Sequence, residues 1–346
     1  MIINKLKLTN FRNYNNIEIN FSIGTNVIIG NNGVGKTNII EAINLISNTK
    51  SFRTNDDRNL IKDNLDFAKV EVNSQNNTLC TVINRQQKNY FINDEKINSA
   101  GFLGKLNVVL FEPSELNFFK ESPKLRRRLI DIELSKISKE YMTNLYVYHK
   151  LLKEKNSLLK EEKIDEILLD TINEQLLKPL EVIMKKRKEF IDFINRHLSN
   201  YFQKLSATRK QVNVSYKRMC DIITKENIEK KINLSKISDF KYNYAYSGIH
   251  KDDYEFYLDD NLVVNNASQG QKRLIMIAFK LCLIDYIKKE TKEEPILLLD
   301  DILSELDIAN QQRLLEFLNN NLQIIITTTD VENIKLSKHY RLIQIK

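Results

Sequence analysis

The sequence predicts an α/β fold with an N-terminal antiparallel β subdomain and an inserted, mostly helical arm. Three observations carry that prediction. All eight glycines lie at or before Gly104 or at or after Gly248, so the tight turns that short strands need fall at the two ends. Strand-length apolar runs occur in those same two ends. Between them, apolar residues recur at helical intervals, and residues 121–240 hold 26 basic and 18 acidic residues, the whole of the chain's +8 surplus. The expected organisation is a discontinuous α/β head, residues 1–120 and 240–346, with a helical arm (lobe II) at 121–239.

Taken in order, Ile3, Leu6 and Leu8, then Ile17, Ile19 and Phe21, read as two strands around a turn at Asn13–Asn16. Asn26-Val27-Ile28-Ile29 is an apolar strand followed by a glycine loop. Thr37 to Ser47 places Ile39, Ile40, Ile43 and Ile46 at helical spacing. Val70–Val72, Cys80–Ile83 and Tyr90–Ile92 suggest an antiparallel meander. Pro123 suits a first helical turn, and Leu129, Ile132, Ile137, Tyr141, Leu145 and Tyr148 extend the helical pattern. Leu176–Phe202 is a second amphipathic run, interrupted early by Pro179. No heptad is sustained over three or four repeats, so a long coiled coil is not expected. The α/β pattern resumes at Tyr242.

Several classes are excluded. No apolar run approaches the roughly 18–20 residues that span a bilayer. The start, Met1-Ile2-Ile3-Asn4-Lys5, lacks the apolar core of a signal peptide. Cys80, Cys220 and Cys282 are odd in number and far apart, against a disulfide framework or zinc cluster. The expectation is a cytoplasmic protein with reduced thiols and no membrane partner.

Gly30-Asn31-Asn32-Gly33-Val34-Gly35-Lys36-Thr37 fits G-x-x-x-x-G-K-T, with a strand before it and a helix, continued by Asn38, after it. Glycines let successive N–H groups curl around an anion, and the helix adds the positive end of its dipole. Lys36 is the candidate for the β- and γ-phosphates of ATP, and Thr37 for Mg²⁺. Pro295-Ile296-Leu297-Leu298-Leu299-Asp300-Asp301 is an apolar strand ending in two carboxylates. Its composition fits a strand buried on both faces of a mostly parallel sheet. Asp300 is then a candidate for the Mg²⁺ shell, and Asp301 for the general base that polarises water.

Ala267-Ser268-Gln269-Gly270-Gln271, just before a helical run, resembles the signature motif of ABC-type ATPases. Ser304-Glu305-Leu306-Asp307 resembles their D-loop. The order of phosphate loop, insertion, signature, acidic strand and D-loop is that of the family, which makes the α/β part resemble an ABC-type ATPase head. The resemblance implies a head-to-tail homodimer on ATP binding. Ser268, Gly270, Gln271 and Asp307 would meet the nucleotide of a second subunit. Transporter subunits of this class usually carry a histidine after the strand that follows the D-loop. Here Gln323-Ile324-Ile325-Ile326 leads to Thr327-Thr328-Thr329-Asp330. Thr328 or Thr329 would then sense the γ-phosphate, and the transporter reading stays as the alternative.

Leu8-Thr9-Asn10-Phe11-Arg12-Asn13-Tyr14 and Ile39-Ile40-Glu41-Ala42-Ile43 are instead similar to head domains of the chromosome-maintenance and DNA-repair branch. Within it, Ser51-Phe52-Arg53-Thr54, Pro113, Ser122-Pro123 with Arg126-Arg127 and Ile130-Asp131, Gly248–Asp253 and Leu298–Asp307 resemble the RecF family. The resemblance runs from Leu6 to about Leu314. Ser114, Glu121, Leu129, Ile249 and Asn310 depart from the family pattern, at no proposed ATP contact. What it implies is an ATP-dependent, slowly hydrolysing switch of DNA replication and repair. Such proteins bind double-stranded and gapped DNA and work with RecR and RecO to load RecA.

Within the arm, Lys185–Arg218 carries ten basic and two acidic residues. Lys185, Lys186, Arg187, Lys188, Arg209 and Lys210 are candidates to neutralise DNA phosphates; a solvated helix face is the other reading. Arg126-Arg127-Arg128 could instead partner Asp131 and Glu133. His250 either caps a loop beside Asp252 or supports the ATP site.

Overall fold

The computed structural model describes residues 1–113, 118–303, 306–318, 322–329 and 340–345. In chain order the elements begin with β1 (Ile3–Phe11), β2 (Tyr14–Asn20), β3 (Thr25–Ile29), α1 (Lys36–Asn48), β4 (Phe67–Ser74), β5 (Thr78–Asn84), β6 (Lys88–Ile92), β7 (Glu95–Ile97), α2 (Ser99–Phe102) and β8 (Val108–Phe111). Then come α3 (Pro123–Ile137), α4 (Lys139–Leu158), α5 (Glu166–Ser206), β9 (Val212–Lys217), α6 (Lys225–Tyr242), β10 (Asp253–Leu258), β11 (Asn261–Leu262) and α7 (Val263–Asn266). The last are α8 (Gln269–Thr291), β12 (Ile296–Asp300), α9 (Ile308–Phe317), β13 (Ile324–Thr328) and β14 (Arg341–Gln344). The chain forms two compact units. Met1–Leu116, Asn200–Arg209 and Gln269–Lys346 make the first; Asn117–Ser199 and Lys210–Ser268 make the second.

The first unit holds two sheets. One is antiparallel, in the order β2-β1-β4-β5-β6-β7, and contains the meander expected at β4–β6. In β1 the inward residues Ile3 and Leu6 are an odd number apart. A bulge between Ile3 and Lys5 absorbs the extra residue and keeps Ile3, Leu6 and Leu8 on the buried side. The β1–β2 turn is tighter than expected. Phe11 pairs with Tyr14, leaving Arg12-Asn13 as the loop, with Arg12 in the left-handed region at φ 54°. Asn13–Asn16, expected as a turn, is mostly strand.

The second sheet is parallel, β14-β3-β13-β12-β8, and β12 and β13 are buried along their whole length. Helix α1 packs against β1, β4 and β5 of one sheet and against β8, β12 and β13 of the other. That is why it is buried on more than one side: Ile39, Ile40 and Ile43 are fully buried, and so is the polar Glu41. Each such side chain contributes about 1.5–3 kcal/mol relative to exposure. Because the strands run parallel, the loops leaving β3, β12 and β13 emerge at one edge of the sheet, where such sheets bind ligands.

The second unit contains α3, α4, α6, most of α5 and an antiparallel sheet, β11-β10-β9. This sheet moves the boundary. The sequence reading ends the arm at 239, but β10 pairs with β9 from Asp253↔Lys217 to Leu258↔Val212, and the unit extends to Ser268. Val212, Val214 and Tyr216 alternate inward, a strand signal inside a segment expected to be helical. Pro179 does not interrupt α5, which is continuous through it. The last two turns or so of α5 belong to the first unit, where Tyr201 donates to Asp285 at 2.6 Å and Arg313 donates to the Leu205 carbonyl at 3.0 Å. Among the described residues no helix is long and apolar enough to cross a membrane, and the three cysteines are free.

Candidate functional site

The loop from Gly30 to Gly35 joins β3 to α1. Gly33 and Gly35 have φ of +86° and +109°, a region that L side chains rarely adopt. A Cβ on Gly35 would also stand 2.6 Å from Asn13 Nδ2, and one on Gly30 would stand 2.6 Å from the Ile345 carbonyl. Asn31, Asn32 and Gly33 are exposed, and Val34 is half-buried. Gly35 caps α1 without a side chain, and no acid occupies the first turn. The first-turn amides and the dipole thus favour an anion. Lys36 is buried and donates to the carbonyls of Gly30, at 2.7 Å, and Asn31, at 3.0 Å. Its ammonium closes the loop on itself.

Thr37, next on α1, donates its hydroxyl to Asp300 Oδ1 at 3.1 Å, across 263 residues of sequence. Asp300 ends β12 and is buried. Thr327, its register partner on β13, donates to the same oxygen at 2.7 Å. Burial raises the Asp300 carboxyl above its ordinary value, against the lowering effect of the Thr327 and Thr37 hydroxyls. Asp301 follows at φ 51°, uncommon for a residue other than glycine, and its N–H donates to Thr327 Oγ1 at 3.1 Å. The sequence points to its neighbours Thr328 and Thr329 and carries no local signal for Thr327. Thr328 is buried in register with Ile29, the residue before the loop, and Thr329 is exposed.

A second network ties the β1–β2 turn to the same loop. Asn13 Nδ2 donates to the Val34 carbonyl at 2.9 Å, and Asn38 donates to Asn13 Oδ1 at 2.7 Å. Arg12 forms a fork with the buried Glu41 carboxylate, at 2.9 and 2.6 Å. Arg53 joins Asn38 at 2.7 Å and Glu41 at 3.3 Å, and Ser51 also donates to Glu41. A buried carboxylate on α1 is held by two guanidinium groups. The only sequence signal for this clamp was family resemblance at 8–14, 39–43 and 51–54.

Ser268 precedes α8 and is exposed; Gly270 and Gln271 lie in its first turn, which carries no acid. Asp307 caps α9, accepting from the Asn310 amide at 2.8 Å and from the Asn310 side chain at 2.6 Å. Ser304 and Glu305 of the D-loop-like segment, with Ser114 and Asp330, lie outside the described residues.

The candidate DNA-binding residues separate sharply. Arg187 is 1% exposed. Its guanidinium donates to Asp131 Oδ1 at 2.8 Å, to Asp252 Oδ2 at 2.8 Å and to the Ile249 carbonyl at 3.2 Å. It is a core cation and cannot reach DNA phosphate. Helical periodicity explains this: Arg187 falls on the buried face with Ile183, Met184 and Phe190, while Lys185, Lys186 and Lys188 fall on the outer face. Those three are each paired with a nearby acid of α5: Glu181, Glu189 and Asp192 respectively. Arg209 and Lys210 are exposed beyond the end of α5. Since Arg187 takes Asp131, the expected partners of α3 change too. Arg126 forks onto Asp253 at 2.8 Å, Arg127 donates to the Asp252 carbonyl, and Glu133 pairs with Lys136 at 2.6 Å. His250 is structural, but through other groups than Asp252. Its Nε2 lies 2.9 Å from the Ala245 carbonyl, which can only accept, so Nδ1 is left to accept from the Tyr148 hydroxyl at 2.5 Å.

The family model described as RecF/RecN/SMC N terminal domain matches residues 2–346. A relative from Lysinibacillus sphaericus (strain C3-41), a DNA replication and repair protein RecF, is 34% identical and covers 96% of this chain and 94% of its own. The chain belongs to the RecF family. A RecF from Bacillus cereus (strain AH820) is 35% identical over 97% of this chain and 94% of its own. A solved structure of the recombination mediator protein RecF with ATP, of the RecFOR pathway, superposes with a TM-score of 0.89 at 29% identity, covering 96% of this chain and 93% of that one. An Smc head bound to the C-terminal winged helix domain of ScpA shares the fold, at TM-score 0.56 and 21% identity, with 96% of this chain and 90% of that one covered. The mixed α/β architecture is thus that of a RecF and SMC head ATPase.

Proposed function

We propose that the chain is an ATP-dependent DNA-binding switch of recombinational repair and replication, acting as a nucleotide-driven homodimer. The observation that carries this reading is the hydrogen bond from Thr37 to Asp300 beside the Lys36 loop. A hydroxyl and a carboxylate from distant segments meet where a phosphate-bound cation would sit. Both are hard oxygen donors, which suits Mg²⁺, an ion that takes one or two carboxylates and fills its shell with phosphate and water. Bound there by Thr37 and Asp300, Mg²⁺ would supply charge neutralisation for the β- and γ-phosphates.

In this reading Lys36 exchanges the carbonyls of Gly30 and Asn31 for phosphate oxygens, while the amides from Asn31 to Asn38 cradle the chain of phosphates. Asp301 orients and deprotonates water, whose oxygen bonds to the γ-phosphorus as the bond to the bridging oxygen breaks. Ser268, Gly270, Gln271 and Asp307 of a second copy complete the site, with Thr328 near the γ-phosphate. Their exposure, or the exposure of the helix ends that carry them, leaves room for that copy. The closed dimer forms a face for double-stranded and gapped DNA, to which Lys185, Lys186, Lys188, Arg209 and Lys210 contribute. Hydrolysis is slow and reopens the dimer. In this reading the switch cooperates with RecR and RecO in loading RecA, which family membership and the RecFOR naming of the ATP-bound relative support. Only a ligand that distinguishes the open from the closed state can drive this.

The test is size-exclusion chromatography with and without ATP. The wild type should shift to a dimer with ATP, and Lys36→Met should stay unshifted. A wild type that ignores ATP, or a Lys36→Met that still shifts, refutes the sandwich.

A further inference from the structure

The strand β13 reads Ile324-Ile325-Ile326-Thr327-Thr328 and is buried throughout. A strand covered on both faces is ordinarily built from valine, isoleucine and leucine. Thr327 branches as valine does and differs from it by one hydroxyl; the residue is 1% exposed. A hydroxyl taken out of water is costly unless it finds partners. Here it finds two, and both belong to the pair of residues at the end of β12.

As a donor, Thr327 gives its proton to Asp300 Oδ1 at 2.7 Å; the Leu299 carbonyl, the other acceptor in reach, is 3.5 Å away. The charged acceptor at the shorter distance takes the bond. As an acceptor, the same oxygen receives the Asp301 N–H at 3.1 Å. One hydroxyl is therefore used in both senses, on two consecutive residues. Thr328, the next residue, projects to the opposite side of the strand and cannot take its place.

Each bond fixes something that phosphate transfer to water needs. Asp300 Oδ1 accepts from Thr37 and from Thr327, and Oδ2 accepts from no donor among the described residues. The two hydroxyls set the rotation of the carboxylate and leave Oδ2 open to a cation. Thr37 is itself a candidate ligand to that cation, so holding the carboxylate to the protein frame falls to Thr327. Asp301 stands in the left-handed region at φ 51°, which a residue other than glycine keeps where its surroundings hold it. The bond from its amide to Thr327 is such a hold, and it sets the direction in which the chain leaves β12. The parallel register from Leu297↔Ile324 to Asp300↔Thr327 means that this hydroxyl is carried by the sheet and not by a loop.

We propose that Thr327 is a positioning residue for ATP hydrolysis, its buried hydroxyl holding Asp300 for the cation and Asp301 for water at a fixed offset from each other. In this role it touches neither nucleotide nor cation. The proposal rests on the reading of Asp300 as cation ligand and Asp301 as base, and it explains how carboxylates on adjacent residues keep separate tasks.

The experiment compares wild type, Thr327→Val, Thr327→Ser and Asp300→Asn as full chains. Manganese, which accepts the same oxygen ligands as magnesium, is titrated by electron paramagnetic resonance in the presence of the non-hydrolysable nucleotide adenylyl imidodiphosphate. Hydrolysis is followed by single-turnover assay. Thr327→Val should weaken manganese binding and slow hydrolysis, each by roughly tenfold or more, as loss of a group that orients a metal ligand does. Binding of a fluorescent nucleotide in EDTA should stay at the wild-type level, since the Lys36 loop is closed by its own carbonyls; a general loosening of the fold would lower it as well. Thr327→Ser should restore both lost properties. Thermal melts without nucleotide check folding, and Thr327→Ala, which also lacks the hydroxyl, replaces the valine variant if that one melts early. A folded valine or alanine variant that binds manganese and hydrolyses ATP like the wild type overturns the proposal, as does a serine variant no better than the valine. Failure of the underlying reading shows separately: Asp300→Asn would bind manganese as the wild type does, which overturns the cation site and the proposal together.

Discussion

Arg187 in the second unit and Lys36 in the first are both buried cations with short hydrogen bonds, yet their surroundings differ in kind. Arg187 meets two carboxylates, Asp131 and Asp252, and those are further satisfied by the hydroxyls of Tyr141 and Tyr216. Lys36 instead donates to two carbonyls of its own loop, Gly30 and Asn31. A carbonyl neutralises nothing, so the ammonium remains the positive centre of an anion-sized loop at a helix N-terminus. Asp300, beside that loop, accepts from the hydroxyls of Thr37 and Thr327, which leave its charge to a cation. Charge compensated inside the protein stabilises it; charge left to be compensated by a ligand makes a site.

Removing either cation should therefore have opposite consequences. Arg187→Met leaves two carboxylates buried without their partner, which costs about 3–5 kcal/mol and should show as a large fall in Tm. Lys36→Met should leave Tm nearly unchanged while abolishing dimerisation by ATP. Equal destabilisation by both would erase the distinction. Asp301→Asn should slow single-turnover hydrolysis by roughly a hundredfold or more, as loss of a general base does, with ATP-driven dimerisation retained. Unaltered hydrolysis would remove Asp301 from the chemistry.

Acid sharpens the comparison. Burial lowers the His250 pKa from 6.5 to about 4. A base depressed in the folded state stabilises fully above its unfolded pKa and loses that contribution as pH falls from about 6.5 toward 4, here up to about 3 kcal/mol. Urea melts across that window should show the loss, and His250→Gln should flatten it. Asp300 is shifted the other way, and its ionised form is the one that holds a cation. Mg²⁺-dependent nucleotide binding should therefore weaken on acidification at a higher pH than an ordinary carboxylate would dictate, as isothermal titration would reveal. The smallest effect belongs to the surface. Changing Lys185, Lys186 and Lys188 to Gln removes exposed pairs worth about 0.3–0.5 kcal/mol each, so Tm should barely move, and any change in duplex binding reads out phosphate contact directly.

Local sequence determined the phosphate loop, the strand that ends at Asp300 and the glycine-free helical arm. Each rests on short-range rules: glycine for positive φ, a continuous apolar run for a strand buried on both faces, and apolar spacing for an amphipathic helix. Which charges in the arm face solvent was also partly legible from helical phase, since Arg187 shares its face with Ile183, Met184 and Phe190. Read as a run of four basic residues, Lys185–Lys188 hid that phase.

Tertiary structure decided what long-range pairing controls. Thr327 joins Asp300 because β13 lies parallel to β12 in that register, and a threonine at that place in sequence looks no different from Thr328 or Thr329. The Arg12–Glu41–Arg53 clamp joins a turn, a helix and a loop whose separate sequences state no partner. The second unit reaches Ser268, not 239, because β9 finds β10 across the intervening helix. Local rules assign conformation to each segment. Only the folded chain, by satisfying buried polar groups one against another, assigns them their partners.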